Sequence, residues 1–313
     1  MYYVWDGNIL PFSSGIKRQI YFKVYKNNLI ENKKKNTKGG VIMTSQELAL
    51  NIRKDVLDMT HISHASHIAS ALSCADIIAV LYSNIIKYDT SNPKWDERDR
   101  VILSKGHAGS ALYACLGEIG FYPKDSLKTY YQNGSIFSGH ISHKNVPGVE
   151  FSTGSLGHGV CVATGIALAG KIDKKNYHVY AIVGDGECDE GSVWETILFS
   201  NQYNLNNFTI IIDRNMMQSF GSTEDTLATN DLGKKIKEFG WNVIDVDGHN
   251  HNELTKALSK KFDNEKPICI IAHTIKGKGI SFMENNVLWH YRDPQGEEYE
   301  KAKKELEGLK YEK

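Results

Sequence analysis

Two short polar motifs of this sequence, GDG and DRN, carry side chains that could bind a metal ion. Asp185 lies between Gly184 and Gly186 and offers a hard carboxylate oxygen, and Asn215 follows it by thirty positions with a neutral amide oxygen. One carboxylate, one amide and one main-chain carbonyl form an incomplete shell for Mg²⁺ or Ca²⁺, which phosphate oxygens and water normally complete. Together the motifs indicate a diphosphate-bearing cofactor held through a metal ion. Taken singly, each is also compatible with an ordinary strand-to-helix turn, because Gly, Asp and Asn are common turn residues.

A nicotinamide or flavin site is the competing interpretation of the same glycines. Such a site requires the pattern GxGxxG directly after a strand and at the start of a helix. In this chain Asp189 stands where the third glycine would be, and an acidic side chain there would repel a pyrophosphate. The sequence therefore disfavours a dinucleotide site.

Each of these motifs follows a short run of apolar and β-branched residues. Five such runs alternate with segments of helical length, and they are RVIL, VYAIV, FTIII, WNVIDV and ICIIAH. This alternation predicts right-handed βαβ units, and hence an α/β fold with a doubly wound parallel sheet that has helices on both faces. Ligands of such sheets lie beyond the carboxyl ends of the strands. We therefore expect four features to gather along one edge of the sheet: His107, Asp185, Asn215 and the segment Lys276–Gly279.

Composition and charge limit the classes of partner. The chain has 313 residues, and its 37 basic side chains balance 37 acidic ones, so no net field favours nucleic acid or an anionic membrane. No apolar run approaches the ~18 residues that a membrane-spanning helix requires. The five cysteines are scattered and contain no CxxC pair, which indicates a reducing cytoplasm and not a disulfide scaffold.

The chain divides into three parts of different composition. Residues 1–42 combine an aromatic patch with a lysine-rich tract, and they form either a docking strand with a flexible arm or a translated leader before a start at Met43. Residues 43–293 carry the motifs and form the ligand-binding domain, in which QELALNIRKDVLDMTHI and CADIIAVLYSNII have helical apolar spacing. Residues 294–313 read as a charged helix. Mass spectrometry of the native protein would distinguish an arm from a leader.

Six separated motifs give the chain a resemblance to the N-terminal, diphosphate-binding part of transketolases. They are SHIASALSCADI (66–77), DRVILSKGHAG (99–109), SGH (138–140), GVEFSTGSLGHG (148–159), GDGECDEG (184–191) and DRNMMQ (213–218). Their order and spacing agree from about Ser45 to about Asp293, so the resemblance covers nearly all of the chain after the N-terminal segment. GDG with an Asn at the next strand end also resembles the thiamine-diphosphate-binding motif of the wider superfamily.

The resemblance implies how a cofactor site would be built. Asp185, Asn215 and the main-chain carbonyl of Met217 would bind a divalent metal, Mg²⁺ or Ca²⁺. Gly154 and Leu156 would meet the aminopyrimidine ring of thiamine diphosphate through main-chain atoms. The residues implied in coenzyme binding are His107, Gly154, Ser155, Leu156, Gly184, Asp185, Gly186, Glu187 and Asn215.

The resemblance also implies the residues that act on a substrate. The catalytic residues implied are His67, His107, His140, His290 and Glu190. Cleavage of a ketose requires the removal of one hydroxyl proton and the later return of another, which suits imidazoles that titrate near neutral pH. Glu190 would instead join a carboxylate network that links active sites across a subunit interface.

Other histidines have an ordinary structural explanation. His61 and His64 share a helical stretch with His67, and at most two of these three can face the site. The histidines expected at the surface are His143, His178 and His251.

Three positions depart from the pattern of the family. Ser66 and Ala69 stand where glycines are usual, and they bring side chains into a tight segment beside His67. His158 replaces a common Gln, a change that resembles split members of the family, as does the segment TIKGKGISF. These departures bear on substrate preference more than on coenzyme binding.

The pyrimidine-binding domain that such enzymes need has no counterpart here, since only a charged segment follows Tyr291. We therefore expect the N-terminal subunit of a split transketolase, which transfers a two-carbon ketol unit from a ketose phosphate to an aldose. A C-terminal subunit would carry the pyrimidine-binding domain, and two copies of each chain would form a heterotetramer with active sites at subunit interfaces. The alternatives are the α subunit of a 2-oxo acid dehydrogenase and a non-catalytic protein that retains the fold.

Overall fold

The computed structural model describes residues 43–309 and the backbone of three short strands that precede them. The helices are α1 (Ser45–Ser63), α2 (Ile68–Ser73), α3 (Ala75–Val80), α4 (Gly109–Glu118), α5 (His158–Ile172), α6 (Gly191–Gln202), α7 (Thr223–Thr226), α8 (Leu232–Glu238), α9 (His251–Leu258) and α10 (Glu297–Gly308). The strands are β1 (Tyr3–Trp5), β2 (Asn8–Leu10), β3 (Thr37–Lys38), β4 (Tyr88–Asp89), β5 (Arg100–Leu103), β6 (Val179–Gly184), β7 (Phe208–Arg214), β8 (Asn242–Asp247) and β9 (Ile268–His273).

One five-stranded sheet organises the described part of the chain. Its strands lie in the order β5-β6-β7-β9-β8, and every neighbouring pair is parallel. This confirms the parallel sheet that the sequence predicts. The last paired residues of β6 and β7 are Gly184 and Asp213, so the GDG and DRN motifs leave the sheet side by side.

Alternating side chains of the central strands pack into two separate cores. Val179, Ala181 and Val183 of β6 belong to the core that contains residues of α5, α6 and α8. Tyr180 and Ile182 of the same strand belong to the core on the other face, with residues of α1 to α4 and α9. Because both faces are covered, β6 and β7 are buried along their whole length, as expected for a parallel sheet. The predicted doubly wound α/β fold is confirmed.

The helix that leads into the site begins at a capping box. The Thr44 hydroxyl accepts a hydrogen bond from the Glu47 N–H (3.1 Å), and the Glu47 carboxylate accepts one from the Thr44 N–H (2.8 Å). Both helical segments that the sequence predicts are confirmed. The first is α1, and the second is α3 followed by a π-helical turn over Leu81–Ile85.

The expectations for residues 1–42 fall largely outside the described residues. Of that stretch, β1 pairs with β2 in antiparallel fashion and β3 pairs with β4 in parallel, so the choice between an arm and a leader stays a prediction. Towards the other end, α10 lies against α1, where the ring of Tyr299 stacks on His61 at 3.8 Å. Among the described residues, no helix combines the length and the hydrophobicity that crossing a bilayer would require.

Two histidines that were expected at the surface lie inside the structure. His251 is buried, with Nδ1 2.9 Å from Ser45 Oγ and Nε2 3.0 Å from Asp76 Oδ1. His178 is half-buried, and its Nε2 lies 2.8 Å from Thr209 Oγ1. The surface prediction was wrong for both because each ring has polar partners, which make burial of an imidazole tolerable.

Gly277 lies in the predicted site segment Lys276–Gly279, and its substitution tests how tightly this edge of the sheet is packed. Gly277 has a φ of +81°, and a Cβ there would lie 2.3 Å from the carbonyl oxygen of Met283. We expect Gly277→Ala to lower the free energy of unfolding by about 1–3 kcal/mol, since backbone strain and the close contact act together. At Gly165 of α5 a Cβ would meet open space, so the control Gly165→Ala should raise it by about 0.4–1 kcal/mol. Urea denaturation measures both, and similar effects of the two substitutions would contradict the prediction.

Candidate functional site

A cavity of about 240 Å³ lies beyond the carboxyl ends of β5, β6, β7 and β9. Residues from all of the strand-end motifs meet there, as the sequence predicts, although Lys276 is the only lining residue from the segment 276–279. The lining residues are His67, Ser70, Lys105, His107, His140, Gly154, Leu156, Gly184, Asp185, Gly186, Glu187, Asn215, Met217, Gln218, Ser219, Lys276, His290 and Tyr291.

Asp185 presents a buried carboxylate without a close counter-ion. Its Oδ1 accepts a hydrogen bond from the Gly186 N–H (2.8 Å) and its Oδ2 from the Met216 N–H (2.6 Å), while Arg214 Nη1 stays 3.9 Å away. Burial, and after it the nearby Asp213 carboxylate, raises the pKa of Asp185 to about 6. A bound cation would reverse this penalty, so the position fits a metal ligand.

Asn215 and Met217 supply neutral oxygens beside that carboxylate. Asn215 Nδ2 donates to Asp213 Oδ2 (3.3 Å), and Asn215 Oδ1 accepts from the Met217 N–H (3.1 Å). One carboxylate, one amide oxygen and one main-chain carbonyl suit a hard divalent cation. Among the described residues, no group of three or more His, Cys, Asp or Glu side chains is arranged to hold a metal ion. A cation on Asp185 would therefore need oxygens from a ligand and from water, which a diphosphate provides.

Asp185, Asn215 and the Met217 carbonyl are together called the metal cradle. A buried ion pair between Lys105 and Asp213 lies next to this cradle, where Asn215 Nδ2 contacts Asp213. Lys105 Nζ binds Asp213 Oδ2 directly, and it also donates to the Ser70 carbonyl at 3.1 Å. Asp213 accepts further hydrogen bonds from the hydroxyls of Ser73 and Thr274. Burial alone would raise the pKa of Asp213, but the adjacent Lys105 ammonium holds it below its ordinary value. The sequence analysis missed both residues as parts of the site.

Glu187 joins two turns of the site to each other. Its Oε1 accepts hydrogen bonds from Ser104 Oγ (2.5 Å) and the Gly157 N–H (2.9 Å), and its Oε2 accepts from the Gly184 N–H (3.0 Å). Both carboxylate oxygens are thus engaged by the protein, although the side chain lines the cavity. Its contribution to binding a coenzyme would come from holding the two turns in place.

Four histidines of the cavity lining form a cluster. The ring centroid of His67 lies 5.4 Å from those of His107 and His140 and 5.0 Å from that of His290. Burial, and after it neighbouring imidazole and lysine groups, lowers the pKa of His67 to about 4 and that of His290 to about 3. The pKa of His107 also lies well below its ordinary value, chiefly through burial. These three imidazoles are therefore uncharged at neutral pH.

Lys276 connects the histidine cluster to the metal cradle. Its Nζ lies 3.0 Å from His290 Nδ1 and donates to the carbonyl oxygens of Met217 (3.2 Å) and Gln218 (2.7 Å). Burial, and then the charge of Lys105, lowers the pKa of Lys276 to about 8. The side chain therefore carries a positive charge at the point where the two halves of the site meet.

Not every residue implied by the resemblance lines the cavity. Ser155 and Glu190 are exposed and lie outside it, and Glu190 is packed beside Gly157 at the start of α6. His64 contacts Asp293 at the surface, so of the three neighbouring histidines only His67 reaches the cavity. The roles of all these residues remain predictions.

Several lining residues were not predicted as functional. Lys105 directly precedes the glycine and histidine of SKGH, and its position after a strand was the one available signal. Gln218 donates to Asp189 Oδ2 (2.6 Å) and would collide with any side chain at Gly186. Tyr291 packs its ring on those of His67 and His290. Gln218 ends the motif DRNMMQ but was given no role, and Tyr291 had no signal in the sequence.

A parallel sheet with a cavity at its carboxyl edge, lined by carboxylate, lysine and histidine side chains, is typical of a domain that binds a phosphorylated coenzyme. Residues 44–313 match the family model described as "Transketolase, thiamine diphosphate binding domain". The chain therefore belongs to the transketolase family, and the described sheet is its thiamine-diphosphate-binding domain.

Similar proteins include both separate subunits and longer chains. The chain is 40% identical over 255 residues to an apulose-4-phosphate transketolase subunit of Phocaeicola vulgatus, covering 81% of this chain and 90% of that protein. It is 38% identical over 271 residues to the 6-deoxy-6-sulfo-D-fructose transketolase subunit SqwG of a Clostridium species, covering 85% and 98%. The transketolase structure from Leishmania mexicana superposes with a TM-score of 0.79 and 28% identity, covering 85% of this chain and 42% of that one. These relatives support a transketolase over a 2-oxo acid dehydrogenase subunit.

The Lys105–Asp213 pair leads to a prediction about stability. Lys105→Met leaves the Asp213 carboxylate buried without its cation, and we expect a loss of about 3–5 kcal/mol in the free energy of unfolding. Lys278 forms a more exposed pair with Glu284 at 3.5 Å, so Lys278→Met is the control and should cost about 1 kcal/mol or less. Urea denaturation measures the free energy of unfolding of both variants. The prediction is wrong if the two variants are equally stable.

The lowered pKa of His290 leads to a prediction about pH. Because the folded pKa of about 3 lies below the ordinary 6.5, the unfolded chain binds the proton more tightly between these values. The contribution of His290 to stability is therefore complete above 6.5 and is lost as the pH falls towards 3. We expect His290→Asn to lose less stability than the unchanged protein between about pH 7 and about pH 5. Thermal unfolding at both pH values measures this, and identical losses would refute it.

Proposed function

We propose that this chain is the N-terminal subunit of a two-chain, thiamine-diphosphate-dependent transketolase. The reaction is the transfer of a two-carbon ketol unit from a ketose, in most cases a ketose phosphate, to an aldose. The observation that carries this proposal is the convergence of the Asp185 cradle and the His67 cluster on one cavity.

The residues present fit a metal-bound diphosphate. Asp185, Asn215 and the Met217 carbonyl would bind Mg²⁺ or Ca²⁺, and Lys276 would offset the remaining negative charge of the diphosphate. A side chain at Gly186 would collide with Gln218, since its Cβ would lie 2.8 Å from Gln218 Cγ, so this turn requires glycine. When bound, thiamine diphosphate supplies the nucleophilic carbon and the electron sink of the reaction.

The histidine cluster would move the protons of the substrate. His67 and His107 are uncharged at neutral pH, so each has a nitrogen that can accept a hydroxyl proton and later return it. The lone pair of His290 at Nδ1 accepts from the Lys276 ammonium, so its Nε2–H would donate to a substrate oxygen. His140 lies at the more exposed side of the cluster and would contact substrate hydroxyls.

A second protein chain would complete the site. The cavity of about 240 Å³ is smaller than the ~300–1,000 Å³ typical of complete small-molecule sites. Tyr291 lines the cavity and is 67% exposed, and Phe220 (72% exposed) directly follows the lining residue Ser219 in the sequence. A second exposed apolar group lies on and next to α5 and α6 and comprises Ile172, Leu198, Phe199 and Tyr203. We propose that a C-terminal subunit with the pyrimidine-binding domain covers the mouth, and that α5 and α6 take part in assembly to a dimer of heterodimers.

The sugar substrates are proposed only as a class. The relatives named above are transketolase subunits for apulose-4-phosphate and for 6-deoxy-6-sulfo-D-fructose. By analogy, the donor would be a ketose with a charged group at the end remote from its carbonyl. The described wall of the cavity offers only Lys105 and Lys276 as lysines, and both are engaged by the protein, so the partner would bind that group.

Reconstitution tests this proposal. The chain should show no ketol transfer alone and should become active with thiamine diphosphate, Mg²⁺ and the C-terminal subunit encoded in the same genome. Asp185→Ala should weaken coenzyme binding, measured by calorimetry, by more than the ~10–100-fold typical of residues that only support a metal ligand. The matched control is Asp263→Ala, which changes a carboxylate that does not line the cavity. Turnover by the chain without a partner, or normal coenzyme binding by Asp185→Ala, would overturn the proposal.

A further inference from the structure

Ser66 makes a hydrogen bond to the histidine at the centre of the cluster. Its Oγ lies 2.9 Å from His67 Nδ1. Within the part of the chain that the structure describes, neither ring nitrogen of His67 has another protein partner, so Nε2 is the nitrogen left for a ligand. Ser66 itself is not among the residues that line the cavity.

The main chain of His67 is held in an unusual conformation. Its φ is +73°, in the left-handed region that side chains with a Cβ rarely adopt. Its N–H donates to the His290 carbonyl at 2.8 Å, and its own carbonyl accepts from the N–H groups of Ser70 and Ala71 at the start of α2. The backbone is therefore fixed on both sides, and rotation of the ring about its side-chain bonds is the freedom that remains.

The position of His67 makes the orientation of its ring important. The ring centroid lies within 5.4 Å of those of His107, His140 and His290, so the ring is next to every other member of the cluster. An uncharged imidazole has one N–H and one lone pair, and the partner of the first nitrogen determines what the second nitrogen offers. Because a hydroxyl can either donate or accept, the direction of the hydrogen bond at Nδ1 decides whether Nε2 accepts or donates.

We propose that Ser66 is a positioning residue that accepts a hydrogen bond from His67 Nδ1–H, and so holds the ring with the Nε2 lone pair towards the cavity. In this arrangement His67 is ready to accept a substrate proton without first rotating or exchanging its own proton. The catalytic part of this inference rests on the proposed function. The orientation and the tautomer of the His67 ring do not rest on the proposed function, because both can be measured on this chain without a coenzyme or a partner.

Nitrogen-15 NMR of the full chain with labelled histidine tests the tautomer directly. The His67 signals, assigned by their loss in His67→Gln, should show a protonated Nδ1 and an unprotonated Nε2. In Ser66→Ala the two tautomers should become mixed. A protonated Nε2 in the unchanged chain, or an unaltered tautomer in Ser66→Ala, would overturn the proposal whether or not the chain is a transketolase.

Kinetics of the assembled enzyme test the consequence. We expect Ser66→Ala to lower kcat about 3- to 10-fold, as is typical for one neutral hydrogen bond, and to leave KM nearly unchanged. Ser63→Ala is the matched control, because Ser63 Oγ donates to the Met59 carbonyl at 2.7 Å, outside the cavity. It should change neither kcat nor the His67 signals. An equal loss of kcat in both variants would assign a purely structural role to Ser66, whereas a complete lack of ketol transfer in the unchanged enzyme would contradict the proposed function instead.

Discussion

The buried ion pair between Lys105 and Asp213 is the interaction on which the candidate site depends. It joins the ends of β5 and β7, and Asp213 also accepts hydrogen bonds from Ser73 at the end of α2 and from Thr274 after β9. Both charged groups are buried, so each is tolerated only while the other is in place. Because Asn215 Nδ2 donates to the same carboxylate, the pair also determines that the amide oxygen of Asn215 is the atom available for a metal.

In this arrangement the positive charge is carried by two lysines, and the groups that would transfer protons are uncharged histidines. Lys105 is neutralised by Asp213, and Lys276 is held by main-chain carbonyls, so both ammonium groups are fixed in position. Burial, and after it the neighbouring imidazole and lysine groups, lowers the pKa of His67 and His290 and keeps both uncharged. An uncharged imidazole can accept a proton, whereas an imidazolium cannot. Lys276 and a metal would therefore attract a diphosphate, and the uncharged histidines would remain available for the chemistry of the substrate.

Local sequence patterns were sufficient for the residues that directly follow strands. Asp185 and Asn215 meet because parallel strands end at one edge of a sheet, and this follows from the order of strands and helices. The Lys105–Asp213 pair could not be predicted in this way, since its members lie 108 positions apart and on strands separated by β6. His251 was misplaced for a related reason, because its burial depends on partners distant in the sequence. Local sequence patterns thus predict which residues lie at the ends of strands, but not which of them form ion pairs or hydrogen bonds with residues distant in the sequence.

The mouth of the cavity has less internal support than its floor. The floor is held by the ion pair and by the bonds of Glu187, whereas Phe220 and Tyr291 expose most of their rings to solvent. Exposed aromatic rings are available to a second protein chain, and aromatic residues are enriched at protein interfaces. In the proposed heterotetramer the partner would remove water from this mouth, and electrostatic interactions inside the site would become stronger as a result. Dependence of activity on the partner would then follow from desolvation of the histidine cluster as well as from the residues that the partner contributes.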